Sequence, residues 1–435
     1  MFETPYGRYA LHRYPKTSDP NLQAWESADR YVLQTLADRF PSGPTGRTLI
    51  CNDAFGAITT ALIGHRPIVW NDSALAHHAI RANLETNRLE GPWTLLSSVE
   101  SPPTGEPIGL VVIKVPKSLR FLEDQLARLA PLIDPSTVVI GAAKAKHIHD
   151  STLKLFERYF GETTTSLAKQ KARLIYSVAA GASGSATVVA GGASGARGAA
   201  PDLADTCEKA TIGSSGSPWP QSFDYEGKPV LGHANVFSHR KLDIGTRFLL
   251  EQYDRFDWFD SVEHVVDVGC GNGLLGLVAL TKNPSVQCLF VDSSYMAVES
   301  SRRNVEAWFG SDALPGDATG VDTAVGGSSL AGGSRARFEV GDALSSVDGG
   351  TSLCGDGSVD LVLCNPPFHD SFVMGQDVAA RMFSQAAQAL RSSGRLVVVA
   401  NRHLRYMPVL KRYFKVANVA ASNPKFVVHV AEQPK

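Results

Sequence analysis

The apolar run Leu361-Val362-Leu363-Cys364 passes directly into Asn365-Pro366-Pro367-Phe368. Proline donates no ladder hydrogen bond, so two in succession cannot lie inside a sheet. The run is therefore a strand that stops at Cys364 and projects a rigid turn from the sheet edge. That turn carries an amide side chain, a free proline carbonyl and an aromatic face. Together they suit a flat molecule bearing an amine: the oxygens accept from the amine and the ring stacks.

The rest of the chain supplies a sheet for this turn to leave. In the C-terminal part, strands are predicted over 262–268, 286–291, 337–340, 359–364 and 395–400, with a closing strand over 425–431. Between them a helix opens at 276–281. Another covers 296–308, with Ala297, Ser301 and Val305 on one side. A third covers 378–390 and is capped by Ser392-Ser393-Gly394. Alternation of this kind predicts an α/β domain with a doubly wound parallel sheet.

The N-terminal part repeats the pattern. Strands are predicted over 48–51, 68–70, 108–115 and 137–140, with helices from Asn71-Asp72-Ser73 to about 87 and over 118–132. The stretches RANLETN (81–87) and RRNVEAW (302–308) fall in matching places, which implies duplication of a whole domain. The expected division is a domain over 1–178, a flexible Gly/Ala/Ser-rich linker over 179–220 and a second domain over 221–435. Two further Gly/Ser/Asp-rich stretches, about 310–334 and 346–357, read as surface loop insertions.

Bulk composition excludes more than it selects. At 435 residues, 43% hydrophobic and 20% charged, the chain is ordinary for two or three globular domains. A net charge of −1 gives no hint of nucleic acid by itself. Cys51, Cys207, Cys270, Cys288, Cys354 and Cys364 are scattered and form no C-x-x-C, which fits a reducing compartment better than disulfides or zinc. The histidines show no metal-ligand spacing, so no metal is expected. The start, MFETPYGRYALHRYPK, lacks the apolar core of a signal peptide, and no stretch is apolar enough to span a membrane. A cytoplasmic protein is expected.

A second motif carries chemistry. Asp267-Val268-Gly269-Cys270-Gly271-Asn272-Gly273 follows a predicted strand and opens a helix, where glycines bring the backbone close to a ligand. Asp292 closes the next strand, where a carboxylate accepts from both ribose hydroxyls of a nucleoside; it also fits a plain helix N-cap. The glycine spacing departs from the dinucleotide pattern G-x-G-x-x-G. Asp342 follows the third strand, where it can take an adenine amine. Both features favour S-adenosylmethionine over a dinucleotide. Asp267, Gly269, Gly271, Gly273, Asp292, Asp342 and Asn365 form the expected cofactor set, and Asn365, Pro366, Pro367 and Phe368 the catalytic set.

This order resembles the class I methyltransferases, and the Asn-Pro-Pro-Phe turn resembles those acting on exocyclic amines. The stretches 233–238 (HANVFS), 242–245 (LDIG), 364–369 (CNPPFH) and 399–404 (VANRHL) narrow the resemblance to ribosomal RNA guanine-N(2) methyltransferases of the RlmG/RsmC family. In the N-terminal part, LQAWE (22–26), NDAFGA (52–57), IKVPK (113–117) and KARL (171–174) resemble the large-subunit branch more than the small-subunit one. The resemblance covers nearly the whole chain apart from the linker and the two insertions. It implies two tandem Rossmann-like class I methyltransferase domains, the first degenerate. It also implies methyl transfer from S-adenosylmethionine to the 2-amino group of a guanine in 23S rRNA. Asn365 and Pro366 would hold the amine, Phe368 would stack on the guanine, and Phe237 would lie near the pocket mouth.

The N-terminal copy lacks these parts. Asn52-Asp53-Ala54-Phe55-Gly56 has lost the glycine run, and Val115-Pro116-Lys117 replaces the Asn-Pro-Pro-Phe turn. That domain is expected to bind neither cofactor nor target base but to grip RNA. Lys114, Lys144 and Lys146, with Lys117, Arg120, His147, Lys169, Lys171 and Arg173, would line a face for phosphates. A monomer is expected, because the tandem copy supplies within one chain what dimerisation supplies elsewhere. The rival readings are 16S rRNA, a protein glutamine or adenine as target, and a non-catalytic RNA-binding assembly factor.

Overall fold

The computed structural model describes residues 1–17, 19, 21–43, 45–178, 216–315, 334–348, 350–367 and 372–435. Residues 179–215 of the expected 179–220 linker, the core of the first loop insertion and Phe368 lie outside the described residues.

Two seven-stranded sheets organise the chain. The first comprises β1 (Arg47–Cys51), β2 (Ile68–Asn71), β3 (Thr94–Ser97), β4 (Ile108–Lys114), β5 (Val138–Lys144), β6 (Thr163–Thr165) and β7 (Ala172–Val178). The second comprises β8 (His264–Val268), β9 (Gln287–Asp292), β10 (Ala336–Val340), β11 (Val359–Cys364), β12 (Leu390–Asn401), β13 (Phe414–Ser422) and β14 (Phe426–Pro434). The orders are β3-β2-β1-β4-β5-β7-β6 and β10-β9-β8-β11-β12-β14-β13, the same permutation twice. In each sheet the first five strands run parallel, and β7 or β14 inserts antiparallel. Each sheet reverses winding between its two central strands, β1 and β4 or β8 and β11. That reversal opens the crevice in which doubly wound sheets hold ligands.

The central strands are apolar runs because both of their faces are buried. Val266 and Val268 pack with Val362, Cys364 and Val398 against Ala379, Phe383 and Tyr406 on one side. Val265, Leu361, Leu363 and Val397 pack with Leu277 and Phe290 on the other. The first sheet has the same two layers, around Ile50, Val112 and Leu36 on one side and Leu49, Ile113 and Leu126 on the other.

Expected elements recur with shifted ends, and one boundary differs in kind. The helix Phe372–Ala389 passes directly into β12, so Ser392-Ser393-Gly394 is strand and not a cap. Leu390 already pairs with Val359, and an irregularity between Val359 and Leu361 absorbs the extra length. Strands β3, β6, β7 and β13 escape sequence reading; in the edge strands β6 and β13, exposed residues break the apolar pattern. Ser217 and Trp219, assigned to the linker from sequence, are buried: Ser217 Oγ donates to Asp124 at 2.7 Å, and Trp219 packs with Phe121, Val236 and Met296. No helix among the described residues is long and apolar enough to cross a membrane.

Candidate active site

The β8–helix turn is set by backbone conformation. Gly269, Gly271 and Gly273 have φ of 70°, 58° and 80°, a region that L side chains rarely adopt. A Cβ on Gly271 would meet nothing within 4 Å, so this turn leaves its inner side open. Asp267 lies beneath it, and its Oδ2 accepts from Gly276 N at 3.0 Å in the first turn of the helix Leu274–Lys282. Burial pushes its carboxyl up to about 8, against the lowering from that hydrogen bond.

Asp292 ends β9 beside the glycine turn. Its Oδ2 accepts from Gly271 N at 3.1 Å and its Oδ1 from Ser294 N at 3.0 Å, so both oxygens are aimed by the backbone. Ser294, not Asp292, is the N-cap of the helix Tyr295–Phe309. The plain cap role is therefore filled by its neighbour. Burial raises the Asp292 carboxyl.

Gly269, Gly271 and Asp292 open on a cavity of about 480 Å³, in the range of small-molecule and cofactor sites, while Asp267 and Gly273 lie behind its wall. Gly269, Gly271, Asp292, Asp342, Phe237 and Asn365 all line it. Asp342 is held by Arg381, whose Nε donates to Oδ1 at 2.8 Å. Phe237 is 49% exposed at the cavity rim. Acceptors at the ribose position, an open glycine turn and an apolar wall from Val291, Leu275 and Met382 fit an adenosine-bearing cofactor.

At the end of β11, Asn365 Nδ2 donates to Thr246 Oγ1 at 2.9 Å. Asn365 Oδ1 is buried and has no hydrogen-bond partner among the described residues. A buried acceptor left unmade costs about 1–3 kcal/mol, so a donor entering this corner would relieve that cost. Pro366 and Pro367 line the same cavity. Thr246 sits in the first turn of the helix Ile244–Leu250, whose N-cap Asp243 accepts from Thr246 N at 2.9 Å. Sequence reading missed Thr246 and Arg381, because nothing in their local pattern marks a residue that acts across 119 or 39 positions.

The N-terminal crevice has the same backbone and the opposite chemistry. The pairings Cys51↔Ile113 and Val268↔Cys364 place Lys114 where Asn365 stands. Asn52 has φ of 64° at the position of Gly269, and its amide donates to Lys114 O and exchanges hydrogen bonds with Gln125. Asn71 stands at the position of Asp292 and donates to Asp53 O at 2.9 Å, so an acceptor has become a donor turned inward. Lys114 Nζ meets Asp29 Oδ1 at 2.9 Å, with side chains 15% and 0% exposed. Asp29 and Thr246 occupy the same third position of matching helices. The amide–hydroxyl pair of one domain is an ammonium–carboxylate pair in the other.

Lys114, expected on an RNA-facing surface, is instead turned into the crevice: against the lowering from burial, the Asp29 carboxylate raises its pKa. Arg120 is likewise turned to the domain interface, with Nη1 2.9 Å from His239 Nε2. Lys144 is exposed and pairs with Glu26 at 2.9 Å, and Lys146 is exposed nearby.

A doubly wound sheet with a glycine turn, a strand-end acid and an Asn-Pro-Pro corner on one cavity defines a class I, S-adenosylmethionine-dependent methyltransferase. Residues 1–181 match the RLMG N-terminal domain family, and residues 228–312 and 336–430 match the methyltransferase small domain family. The chain is 40% identical to the ribosomal RNA large subunit methyltransferase G of Aeromonas salmonicida, covering 98% of each. It is also 40% identical to that of Streptomyces griseus (98% of each) and 38% to that of Klebsiella pneumoniae (97% of this chain, 95% of the relative). It belongs to the ribosomal RNA large subunit methyltransferase G family. Its fold is shared with the T. thermophilus 16S rRNA N2 methyltransferase RsmC, solved with AdoMet and guanosine, at a TM-score of 0.63 and 19% identity over 92% of both chains.

Proposed function

We propose that the chain transfers a methyl group from S-adenosylmethionine to the exocyclic 2-amino group of a guanine in 23S rRNA. The observation that carries this reading is Asn365, whose Oδ1 has no partner among the described residues, in the same cavity as the glycine turn and Asp292.

A guanine amine is a weak nucleophile because its lone pair is delocalised into the ring. Asn365 Oδ1 and the Pro366 carbonyl accept from its two N–H groups, which favours a pyramidal nitrogen and aims the lone pair. Thr246 fixes the amide for that task. Asp267, Gly269, Gly271, Gly273, Asp292 and Asp342 hold the cofactor, which when bound supplies an electrophilic methyl. No strong base is needed; catalysis is positioning and preorganised dipoles, and the proton leaves once the nitrogen is cationic. Phe368 stacks on the base, and Phe237 borders its entry. A base within a helix cannot reach such a pocket, so the guanine is unpaired or flipped out.

The RNA path has two cationic parts in this reading. Lys144 and Lys146, with Lys169 and Lys171 on the adjoining turn, offer phosphate contacts on the N-terminal domain. Arg402, Arg405 and Lys425 are exposed at the edge of the second sheet from which Asn365 projects, in a stretch, 401–425, with six Lys or Arg and no acid. The enzyme acts as a monomer on free RNA or an assembling subunit.

Mass-spectrometric mapping of methylguanosine after incubation of 23S and 16S transcripts and of release factor with labelled cofactor tests the target. A label confined to 16S rRNA or protein overturns the reading. Calorimetry separates an assembly factor from an enzyme: the enzyme binds S-adenosylmethionine and loses that binding on Asp267→Ala.

A further inference from the structure

The two domains meet across a local two-fold relation, and the cofactor turn lies on it. Ser73 and Ser294 form an antiparallel bridge. Both are helix N-caps, accepting from Ala76 N and Ala297 N. The flanking backbone bonds are reciprocal: Ala74 N donates to Ser293 O at 2.9 Å, and Tyr295 N to Asp72 O at 3.0 Å. Self-complementary contact of this kind is what a two-fold between equivalent surfaces produces.

The side chains along this bridge differ between the two copies. Asp72 occupies the position equivalent to Ser293 and is 4% exposed. Its Oδ2 accepts from Asn235 Nδ2 at 2.6 Å and Ser294 Oγ at 2.6 Å. Its Oδ1 accepts from Met296 N at 2.9 Å and from Ser98 Oγ at 2.5 Å. Three of these four donors belong to the catalytic domain. Asn235, Ser293 and Ser294 line the cofactor cavity, and the same turn carries Asp292. Leu75, in the first turn of the helix Ala74–Thr86, also lines that cavity.

We propose that the cofactor site is composite: the degenerate domain supplies Leu75 as a wall, and Asp72 as a positioning residue that fixes the turn 292–296 and Asn235 in binding shape. Charge-assisted hydrogen bonds to a buried carboxylate are about twice as strong as neutral ones, so this turn is held from outside its own domain. The N-terminal domain thereby acts on cofactor affinity, separately from any grip on RNA. The proposal rests on the cofactor of the reading above and not on which RNA is methylated.

The test uses the full chain. Leu75→Trp adds bulk inside the cavity. Its affinity for S-adenosylmethionine by calorimetry should fall on the order of tenfold or more, with the thermal midpoint unchanged. Asp72→Asn keeps the shape and removes the charge. Its KM for S-adenosylmethionine should rise by about tenfold while its KM for RNA stays constant. A role confined to holding the domains together would lower the thermal midpoint and leave the cofactor KM unmoved. That outcome, or wild-type cofactor affinity in Leu75→Trp, overturns the proposal.

Discussion

Asn365 combines two properties: one end of its amide is anchored on Thr246, and the other is buried without a partner among the described residues. Removing the acceptor should remove the chemistry and little else. Asn365→Ala is expected to lower the methylation rate by about 10²–10³-fold or more, with RNA affinity by filter binding nearly unchanged. Asp267 makes a prediction in pH. Its carboxyl ionises near 3.8 when unfolded and is pushed up to about 8 by burial when folded. Between those values the folded chain holds the extra proton, so stability falls as pH rises through that window. Asp267→Asn cannot ionise and should show a smaller fall in urea midpoint between pH 5 and pH 8. An unchanged fall would assign the effect to other buried carboxyls, such as Asp292 and Asp72.

Equivalent elements have diverged by exchanging a few side chains on a retained backbone. Gly56 and Gly273 both open their helices at φ of 80°, so the turn survives in the first domain although its other glycines do not. The first crevice is closed by Lys114 and Asp29, and a buried pair of this kind is costly to break from one side. Lys114→Met should destabilise the chain by about 3–5 kcal/mol in denaturant melts, because Asp29 is left charged and dry. The double change with Asp29→Leu should recover most of that loss. If both variants lost the same amount, the pair would not be what seals the crevice.

For the molecule as a whole, the duplication divides labour. One domain keeps the methyl-transfer corner; the other braces the cofactor turn and, in the proposed reading, carries phosphate contacts. Lys144→Gln with Lys146→Gln should weaken RNA binding and reduce the slope of log affinity against log salt by roughly 1.4–1.8, with cofactor affinity unchanged. An unchanged slope would remove these lysines from the RNA path. Much of this plan is legible in the amino-acid sequence. Local rules determine it: prolines end β11, glycines permit the turn after β8, and apolar runs separated by amphipathic stretches specify a doubly wound sheet twice. Asp292 and Asn365, which line one cavity, could be singled out because each sits at a strand end beside a motif. Lys114 could not be read correctly, since a lysine after a strand looks like a surface cation until Asp29, 85 positions earlier, is seen beneath it. Asp72 and Leu75 were invisible for the same reason. Sequence alone determined the inner strands around each crevice and which strand-end residues are candidates for chemistry, because those depend on neighbours along the chain. Only the tertiary structure decided which charges are buried and which domain completes the site, because desolvation and hydrogen-bond pairing depend on neighbours in space.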